Sequence, residues 1–303
     1  SAVLLSHRDC SHSDLCIIRE YIFIRSMPGS SVRWAFNVRA WQPTREQWLY
    51  ALRCVQPEEK ERIQKFVFTK DAKASMIGRL LLRKCISELR GVPYQDINFG
   101  RNEHNRPVLT QPQLTDQLFD FNVSHQGDYA VLAADNYPSV GVDVMKTEYS
   151  GGKTIQEFFA VMERQFTPKE WSIIEQPGTE SDLLGRFYRL WCLKESFVKA
   201  TGAGLTVDLQ RLNFTCLTKE LKQGTITSDT QLCFDGQLLS DWIFQETMLD
   251  YEHCVCTALK VGSKTSPPNC KLFTTLSFDE LTSGSHPFGL SNDSDWTQFA
   301  EKS

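Results

Sequence analysis

An internal repeat of a long helix followed by a strand limits the folds open to this chain more than any other feature. In the first copy, Phe68-Thr-Lys-Asp71 precedes a helical pattern that ends at Gly91, and a strand-like segment follows. In the second copy, Phe166-Thr-Pro-Lys-Glu170 precedes a helical pattern that ends at Gly202, again before a strand-like segment. Chance similarity between two helix–strand units is the alternative, but the shared order of several elements favours a duplication. We therefore predict an α+β fold of two similar halves, an internal pseudo-dimer with a cleft where the halves meet.

Composition divides the chain into four segments. Residues 1–26 lack the basic start and clean apolar stretch of a secretory signal, and we expect them to be a non-native or disordered extension. The N-terminal half is placed at 27–138 and the C-terminal half at 139–260. Residues 261–303 are rich in Ser, Thr and Pro, which predicts a linker and a loosely held tail.

Helix-start signals occur at three places. Thr44 and Thr167 each precede a Gln or Glu three residues later, the pattern of a capping box, and Pro57 occupies a favourable first helical position. A long helix is predicted from 69 to 90, closed by Gly91. These signals place helices in both halves.

Three strand candidates follow one another at 119–124, 129–134 and 140–145. The connections between them are short and rich in turn-forming residues. The pattern predicts an antiparallel meander.

Charge, hydropathy and cysteine spacing exclude several classes of protein. A net charge of -4 and a pI near 5.9 argue against nucleic acid as the main partner. No run approaches the roughly 18 apolar residues that span a bilayer, so no membrane association is expected. None of the ten cysteines forms a CxxC pair, which disfavours a zinc site or a disulfide framework and fits the reducing cytosol.

Polar side chains interrupt two of the predicted strands. In 140–145 the valines share one face, and Asp143 projects from the other. In the first strand, Asn122 and Ser124 leave the core face, and His125 follows at the turn, where these groups are free to meet an anion. A solvated strand face is the alternative for Asp143, and a surface or capping role is the alternative for His125.

The helix predicted near 186–201 carries three ionisable groups. Glu195 and Lys199 lie four residues apart on one side, where an exposed salt bridge worth about 0.2–0.5 kcal/mol is the alternative to a site. Lys194 projects through the apolar face, where it must snorkel or find a partner. Together the three groups indicate a functional site on this helix.

Three segments resemble the signature motifs of the 4′-phosphopantetheinyl transferase superfamily, in the family's order. They are Phe121-Asn-Val-Ser-His125, Gly141-Val-Asp143 and Trp191-Cys-Leu-Lys-Glu-Ser-Phe-Val-Lys199. The similarity extends from about 32 to 260 and is to the larger, pseudo-dimeric type of the family, which is built as two similar α+β halves. Each short motif is weak by itself, and their combination is specific.

The resemblance implies an activity. The chain would transfer the 4′-phosphopantetheine arm of coenzyme A (CoA) to a serine hydroxyl of apo acyl or peptidyl carrier domains, releasing adenosine 3′,5′-bisphosphate with the help of Mg²⁺. Fatty-acid synthase and aminoadipate-type reductases are the expected carriers, which would link the enzyme to fatty acid synthesis and lysine degradation. A monomer is expected, because an internal pseudo-dimer needs no second chain to build its cleft.

The resemblance also assigns residues. Asp143 and Glu195 would bind Mg²⁺, and Glu195 and Lys199 would be catalytic, Glu195 as base for the carrier serine and Lys199 as a counter-charge to the phosphates. The residues assigned to CoA are Arg62, Arg101, Asn102, Glu103, His104, Asn105, Arg106, Asn122, Val123, Ser124, His125, Glu195, Ser196, Phe197, Val198 and Lys199.

Two positions depart from the family pattern. Bacterial relatives often carry an acidic residue where this chain has Met145, and a thioether is a poor Mg²⁺ ligand, so water or Gln126 must complete the metal shell. Asn105-Arg106-Pro107 replaces the usual Gly-Lys-Pro. Arg106 keeps the positive charge, and CoA binding is expected to survive the change.

Alternatives to this activity remain. The chain could be a non-catalytic module of the same fold that binds CoA or a carrier. A Ser-His-Asp hydrolase is disfavoured because Ser124 is not in a GxSxG elbow. An acyltransferase that uses acetyl-CoA is disfavoured because this chain lacks the Gly-rich pyrophosphate loop of such enzymes.

Overall fold

The structure, a computed structural model, describes residues 31–114, 118–262 and 268–303. The predicted extension 1–26 lies outside these ranges. Helices and strands alternate in irregular order, which confirms the α+β class. Among the described helices, none combines the length and the apolar character that crossing a membrane requires.

The first half begins with the elements that the capping signals predicted. Thr44 and Gln47 form the expected capping box, and Pro57 is the first residue of the next helix. The long helix begins and ends where the pattern placed it, with Gly91 in the left-handed conformation (φ 63°). The elements are β1 (Val32–Asn37), α1 (Arg45–Arg53), α2 (Pro57–Gln64), α3 (Thr69–Arg90), β2 (Asn98–Arg101), β3 (Pro107–Gln111), β4 (Asp120–Gln126) and β5 (Tyr129–Asp135).

The second half is arranged around one long helix. Its elements are β6 (Ser139–Lys146), α4 (Ile155–Met162), α5 (Pro168–Ile174), α6 (Glu180–Thr201), β7 (Leu212–Thr215), β8 (Gln231–Phe234), β9 (Gln237–Leu238), β10 (Trp242–Met248) and β11 (His253–Lys260). Helix α6 is 22 residues long, like α3, and likewise ends at a left-handed glycine, Gly202 (φ 68°). The predicted start near residue 186 was too late, since Thr179 caps the helix with a capping box.

Two sheets place the strands that carry polar residues side by side. The first has the order β12-β1-β5-β4, where β12 is Thr274–Thr275, and the second has the order β10-β11-β6. Apolar side chains of α3 and β1 form one core, and those of α6 and β10 form another. Strands β4 and β6 are the edges at which the two sheets meet.

The predicted meander is wrong in its third strand. Strands β4 and β5 pair in antiparallel fashion, but β6 forms its ladder with β11 instead. Alternate side chains of β4 take the place of a main-chain ladder beside β6, because oxygens of Asp120, Asn122 and Gln126 accept hydrogen bonds from backbone N–H groups of β6. The acceptor and donor positions advance together along both strands, so β4 and β6 run parallel.

The prediction of a loosely held tail is also wrong for residues 268–303. This segment forms β12, α7 (Phe278–Thr282) and α8 (Asp293–Ala300) against the first half. The ring of Phe299 stacks on Trp48 with centroids 3.8 Å apart, and Leu276 and Leu281 are buried. Leu276, Leu281 and Phe299 are spaced so that they reach the core, which the Ser/Thr/Pro-rich composition obscured.

Candidate active site

A cavity of about 800 Å³ lies where α3, β4 and the loop between β2 and β3 face the second half of α6. The first half contributes Arg62, Ser75, Arg79, Arg101, His104, Asn105, Arg106, Asn122, Val123, Ser124 and His125. The second half contributes Arg164, Gln165, Glu195, Val198, Lys199 and Asp208. Residues from both halves therefore share one cavity of the size of a small-molecule site.

Asp143 lies beside this cavity, on the edge strand β6, with 1% of its surface exposed. Its Oδ1 accepts hydrogen bonds from Ser124 Oγ (2.8 Å) and Lys199 Nζ (2.5 Å). Its Oδ2 is buried and has no hydrogen-bond partner among the described residues. A buried carboxylate oxygen without a partner is costly, so this atom marks a position that suits a cation.

Glu195 and Lys199 lie one turn apart on α6, and both line the cavity. Burial raises the pKa of Glu195, Lys199 offsets part of this rise, and Asp143 adds to it. The Glu195 carboxylate forms no hydrogen bond with the described residues, whereas Lys199 also donates to Ser124 Oγ at 2.7 Å. The salt bridge of Lys199 is therefore made with Asp143 across the cavity wall and not with its helical neighbour.

A glycine sets the distance between these groups. Gly141 lies on β6 directly against α6, so that a Cβ at this position would overlap Ser196 O and would lie 2.5 Å from Ala200 N. Such a close approach of two backbones is possible only without a side chain. Because Glu195 and Lys199 flank the contact, Gly141 brings their helix within reach of Asp143.

The three polar residues of the first motif have different surroundings. Ser124 bridges Asp143 and Lys199, as described above. Asn122 is buried, and its Oδ1 accepts from Val142 N–H at 3.0 Å, so it also joins the two strands. His125 is exposed and lines the cavity, where desolvation by the surrounding protein atoms and the charge of nearby Lys199 lower its pKa.

The loop 101–107 is held by its own side chains. Asn102 Oδ1 accepts from the N–H groups of His104 and Arg106, and Asn105 adopts a left-handed φ of 62°. The Glu103 side chain is 85% exposed and does not line the cavity. Asn102 thus shapes the loop, whereas Arg101, His104 and Asn105 face the cavity.

Arg106 differs from the sequence expectation of a residue that offers its charge to CoA. Its guanidinium forms an ion pair with Asp120 (2.7 Å) and donates to backbone oxygens of β4, β6 and α6. Although the residue lines the cavity, both Nη atoms are engaged within the protein.

Two α6 residues that were assigned to CoA, and Lys194 beside them, face away from the cavity. Ser196 Oγ donates to Leu193 O, and the ring of Phe197 packs on Trp242 in the second core. Lys194 is fully buried, 2.8 Å from Glu170, and its Nζ also donates to two backbone oxygens. The interpretation of Lys194 as part of a site is therefore wrong: it found its partner in the core. Val198 and Val123 do line the cavity.

Several cavity residues were missed in the sequence. Arg79 is buried in α3 and forms an ion pair with Glu59 at 3.5 Å. Its signal was an arginine within an apolar run. Arg164 and Gln165, in a short 3-10 turn, gave no such signal. Of the cavity's arginines, Arg62, Arg101 and Arg164 form no ion pair within the described parts of the chain.

A second group of possible metal ligands lies apart from these residues, at Asp128, Glu252 and His253. Both ring nitrogens of His253 are already engaged, with Asp250 and with the N–H of Asp128. Lys146 forms ion pairs with Asp128 and Glu252. The cluster is internally satisfied, and it carries no cation site.

Sequence comparison identifies the class of protein to which this fold and this cavity belong. A family model described as "4′-phosphopantetheinyl transferase, N-terminal" matches residues 39–137, and one described as "4′-phosphopantetheinyl transferase superfamily" matches residues 139–257. The chain belongs to the 4′-phosphopantetheinyl transferase superfamily. It is a transferase enzyme that modifies carrier proteins, with coenzyme A as its substrate.

Individual relatives lead to the same conclusion. The chain is 43% identical over 292 residues to the human L-aminoadipate-semialdehyde dehydrogenase-phosphopantetheinyl transferase, covering 93% of this chain and 94% of the relative. It is 35% identical to a phosphopantetheinyl transferase of Thraustochytrium sp., covering 77% and 80%. It is 34% identical to the 4′-phosphopantetheinyl transferase of Bacillus subtilis, covering 51% and 63%.

Proposed function

We propose that this enzyme transfers the 4′-phosphopantetheine arm of CoA to a carrier serine in an Mg²⁺-dependent reaction that releases adenosine 3′,5′-bisphosphate. The observation that carries this proposal is the buried Oδ2 of Asp143, which has no partner in the described parts of the chain and lies next to a cavity that Glu195 lines. Two carboxylates at a cavity that also holds several arginines suit a metal–pyrophosphate ligand.

Asp143 and Glu195 are the residues that would hold Mg²⁺. Carboxylate oxygens are the ligands that this hard cation prefers. Within the described residues, Asp143 Oδ2 has no hydrogen-bond partner, and Glu195 lines the cavity. Bound there, Mg²⁺ would neutralise charge on the pyrophosphate. Gln126 Oε1 already accepts from Lys146 N–H, which favours water as the remaining ligand.

Glu195 is the proposed base. A carboxylate that faces the cavity can accept a proton from a substrate hydroxyl, and Glu195 lines the cavity. It would take the proton of the carrier serine, directly or through water. The serine oxygen then bonds to the pantetheine-side phosphorus, the bond from this phosphorus to the bridging oxygen breaks, and adenosine 3′,5′-bisphosphate leaves. Lys199 would donate to phosphate oxygens as their charge grows.

CoA would be held by the cavity arginines that form no ion pair with another described residue. Arg62 and Arg101 from the first half and Arg164 from the second are free to contact its phosphates, while His104, Asn105 and His125 border the same space. Guanidinium groups suit phosphates because they donate two parallel hydrogen bonds. This assignment leaves Ser196 and Phe197 out of direct contact with CoA.

The family resemblance also suggests the carriers, the compartment and the oligomeric state of the enzyme. We propose that the carriers include those of fatty-acid synthase and of aminoadipate-type reductases, that the enzyme is a cytosolic monomer, and that its halves form an internal pseudo-dimer. The paired 22-residue helices with left-handed glycine ends support the last point.

Intact mass spectrometry tests the reaction. Purified protein, CoA and MgCl₂ should add one phosphopantetheine to an apo carrier domain, and replacing MgCl₂ with EDTA should abolish the gain. Several apo carriers with no mass gain in the presence of Mg²⁺ would contradict the proposal. The non-catalytic alternative, a CoA- or carrier-binding module, predicts binding of CoA without any gain.

A further inference from the structure

Arg106 lies where the three elements of the active site meet. Nη1 donates to Lys199 O (3.1 Å) and Ala200 O (3.4 Å) in the last turn of α6. Nη2 donates to Phe121 O (2.9 Å) on β4 and to Val140 O (3.1 Å) on β6. One side chain thus bonds to the helix of Lys199 and to both edge strands.

The charge of Arg106 is compensated within the protein. Nη2 contacts both carboxylate oxygens of Asp120, at 2.8 and 2.7 Å. Asp120, on β4, in turn accepts from the N–H of Val140 on β6 at 2.7 Å, which fixes the orientation of its carboxylate. Charge-assisted bonds of this kind are short and geometrically specific. A phosphate would have to break them to recruit this guanidinium.

The bonds act on the carbonyl end of α6. The last carbonyls of a helix have no partner within the helix, and a cation there interacts favourably with them. Lys199, whose carbonyl Arg106 holds, directs its own ammonium at Asp143. Fixing this turn therefore fixes how far Lys199 and Glu195 lie from Asp143.

We propose that Arg106 is a positioning residue, whose guanidinium holds the end of α6 against β4 and β6 and is not a ligand of the CoA phosphates. The proposal rests on the transferase reaction described above. It departs from the sequence expectation, in which Arg106 kept the positive charge of a CoA-binding lysine. Arg101, in the same loop, differs in having one hydrogen bond, to Asn105 O, and no carboxylate partner in the described ranges.

Kinetics of Arg106→Lys and Asp120→Asn test the proposal. Lysine keeps the charge but cannot reach all the acceptors, and asparagine keeps the shape of Asp120 while weakening the ion pair. Both variants should lower kcat roughly 10- to 100-fold, because small misplacements of catalytic groups are costly. The KM and Kd of CoA should stay within about threefold, and the double variant should be little worse than either single one.

The matched control is Arg101→Met, which should raise the KM of CoA with little change in kcat. Activities are compared per folded molecule, below the melting temperature of each variant, so that lost stability alone does not lower kcat. If Arg106→Lys does not fold, Asp120→Asn provides the same test, because its amide oxygen can still accept from Val140 N–H.

A binding role would give the opposite pattern. Arg106→Lys would then keep kcat and raise the KM of CoA, and Asp120→Asn would tighten CoA binding by removing a competing negative charge. That outcome would overturn the proposal. Wild-type protein that adds no phosphopantetheine would instead contradict the transferase mechanism, so the two failures are distinguishable.

Discussion

Lys199 Nζ donates to Asp143 Oδ1 across 2.5 Å, although the two residues lie 56 positions apart on a helix and a strand. The Asp143 side chain is 2% exposed and that of Lys199 is 29% exposed, so the pair closes one wall of the cavity. The same carboxylate has its second oxygen unpartnered within the described residues. This asymmetry leads to the first prediction.

Lys199→Gln should lower the stability of the Mg²⁺-free protein and should increase the stabilisation that added Mg²⁺ provides. Removing the ammonium leaves the buried Asp143 carboxylate without a cationic partner, with Ser124 as its remaining hydrogen-bond donor from the described residues of the wild type. The free energy of unfolding should fall by about 1–3 kcal/mol, less than for a fully buried pair because Lys199 is partly exposed. Thermal unfolding with EDTA and with MgCl₂ measures both effects. Exposed Lys153→Gln, the control, should change stability by less than about 0.5 kcal/mol. Equal melting temperatures for wild type and Lys199→Gln in EDTA would contradict this account.

Glu195→Gln should lower the rate of transfer by at least about 100-fold, because it removes the proposed base. CoA binding should be largely kept, since the cations of the cavity are untouched. Intact mass of an apo carrier over time measures the rate, and calorimetry measures CoA affinity. Glu180→Gln, on the exposed first turn of the same helix, should leave both unchanged. Unchanged turnover in Glu195→Gln would refute the assigned role.

The raised pKa of Glu195 predicts a pH dependence of stability in the protein without Mg²⁺. Because burial raises this pKa, Glu195 should take up a proton above the ordinary value of 4.5 when no cation is bound. A raised carboxyl pKa contributes stability that is present below the unfolded-state pKa and is lost as the pH rises through the folded-state value. Glu195→Gln should therefore raise the melting temperature at about pH 7, and much less at about pH 4. A gain that is equal at both pH values would show that charge burial is not its cause.

Gly141→Ala should destabilise the protein and reduce its activity together. The new Cβ would meet backbone atoms of Ser196 and Ala200, which cannot move as a flexible side chain would. A cost of about 3 kcal/mol or more is expected from overpacking at this contact. Gly185→Ala, on α6 itself, is the matched control, since a Cβ at position 185 would have nothing within 4 Å. That change should stabilise α6 by about 0.5–1 kcal/mol. Denaturant unfolding compares the two, and a Gly141→Ala protein as stable as wild type would exclude the close-packing argument.

Phe299→Ala should cost about 3–5 kcal/mol, because it removes a buried ring that stacks on Trp48 in the first core. Chemical denaturation measures the loss. Leu290→Ala, in the same segment but 89% exposed, should change stability by less than about 0.5 kcal/mol. A tail that contributed nothing to the core would make both changes neutral.

Local signals predicted the local elements. The boundaries of α3 follow from its periodicity and from Gly91, and three helix starts follow from capping chemistry, because both depend on residues a few positions apart. The strands of the first motifs were predicted for the same reason. The pairing of β6 was not predicted, because β6 pairs with β11, more than a hundred residues later, and contacts β4 through side chains.

The ionisable residues show the same limit. Lys194 and Glu195 are adjacent in sequence and equally polar, yet one is a core ion pair and the other lines the cavity. Their fates depend on Glu170 and Asp143, whose positions no local pattern gives. Arg106 likewise kept the charge that its motif requires, but the surrounding acceptors decide what that charge does.

The sequence by itself determined the α+β class and the transferase family, and it predicted Asp143 and Glu195 as metal ligands, because short motifs and helix periodicity depend on neighbouring residues. Only the tertiary structure decided that one oxygen of Asp143 accepts from Lys199 while the other has no partner among the described residues. The distance between Asp143 and Lys199 depends on the backbone contact at Gly141 and on the hydrogen bonds from Arg106 to the end of α6. Such contacts form only when distant segments of the chain pack together.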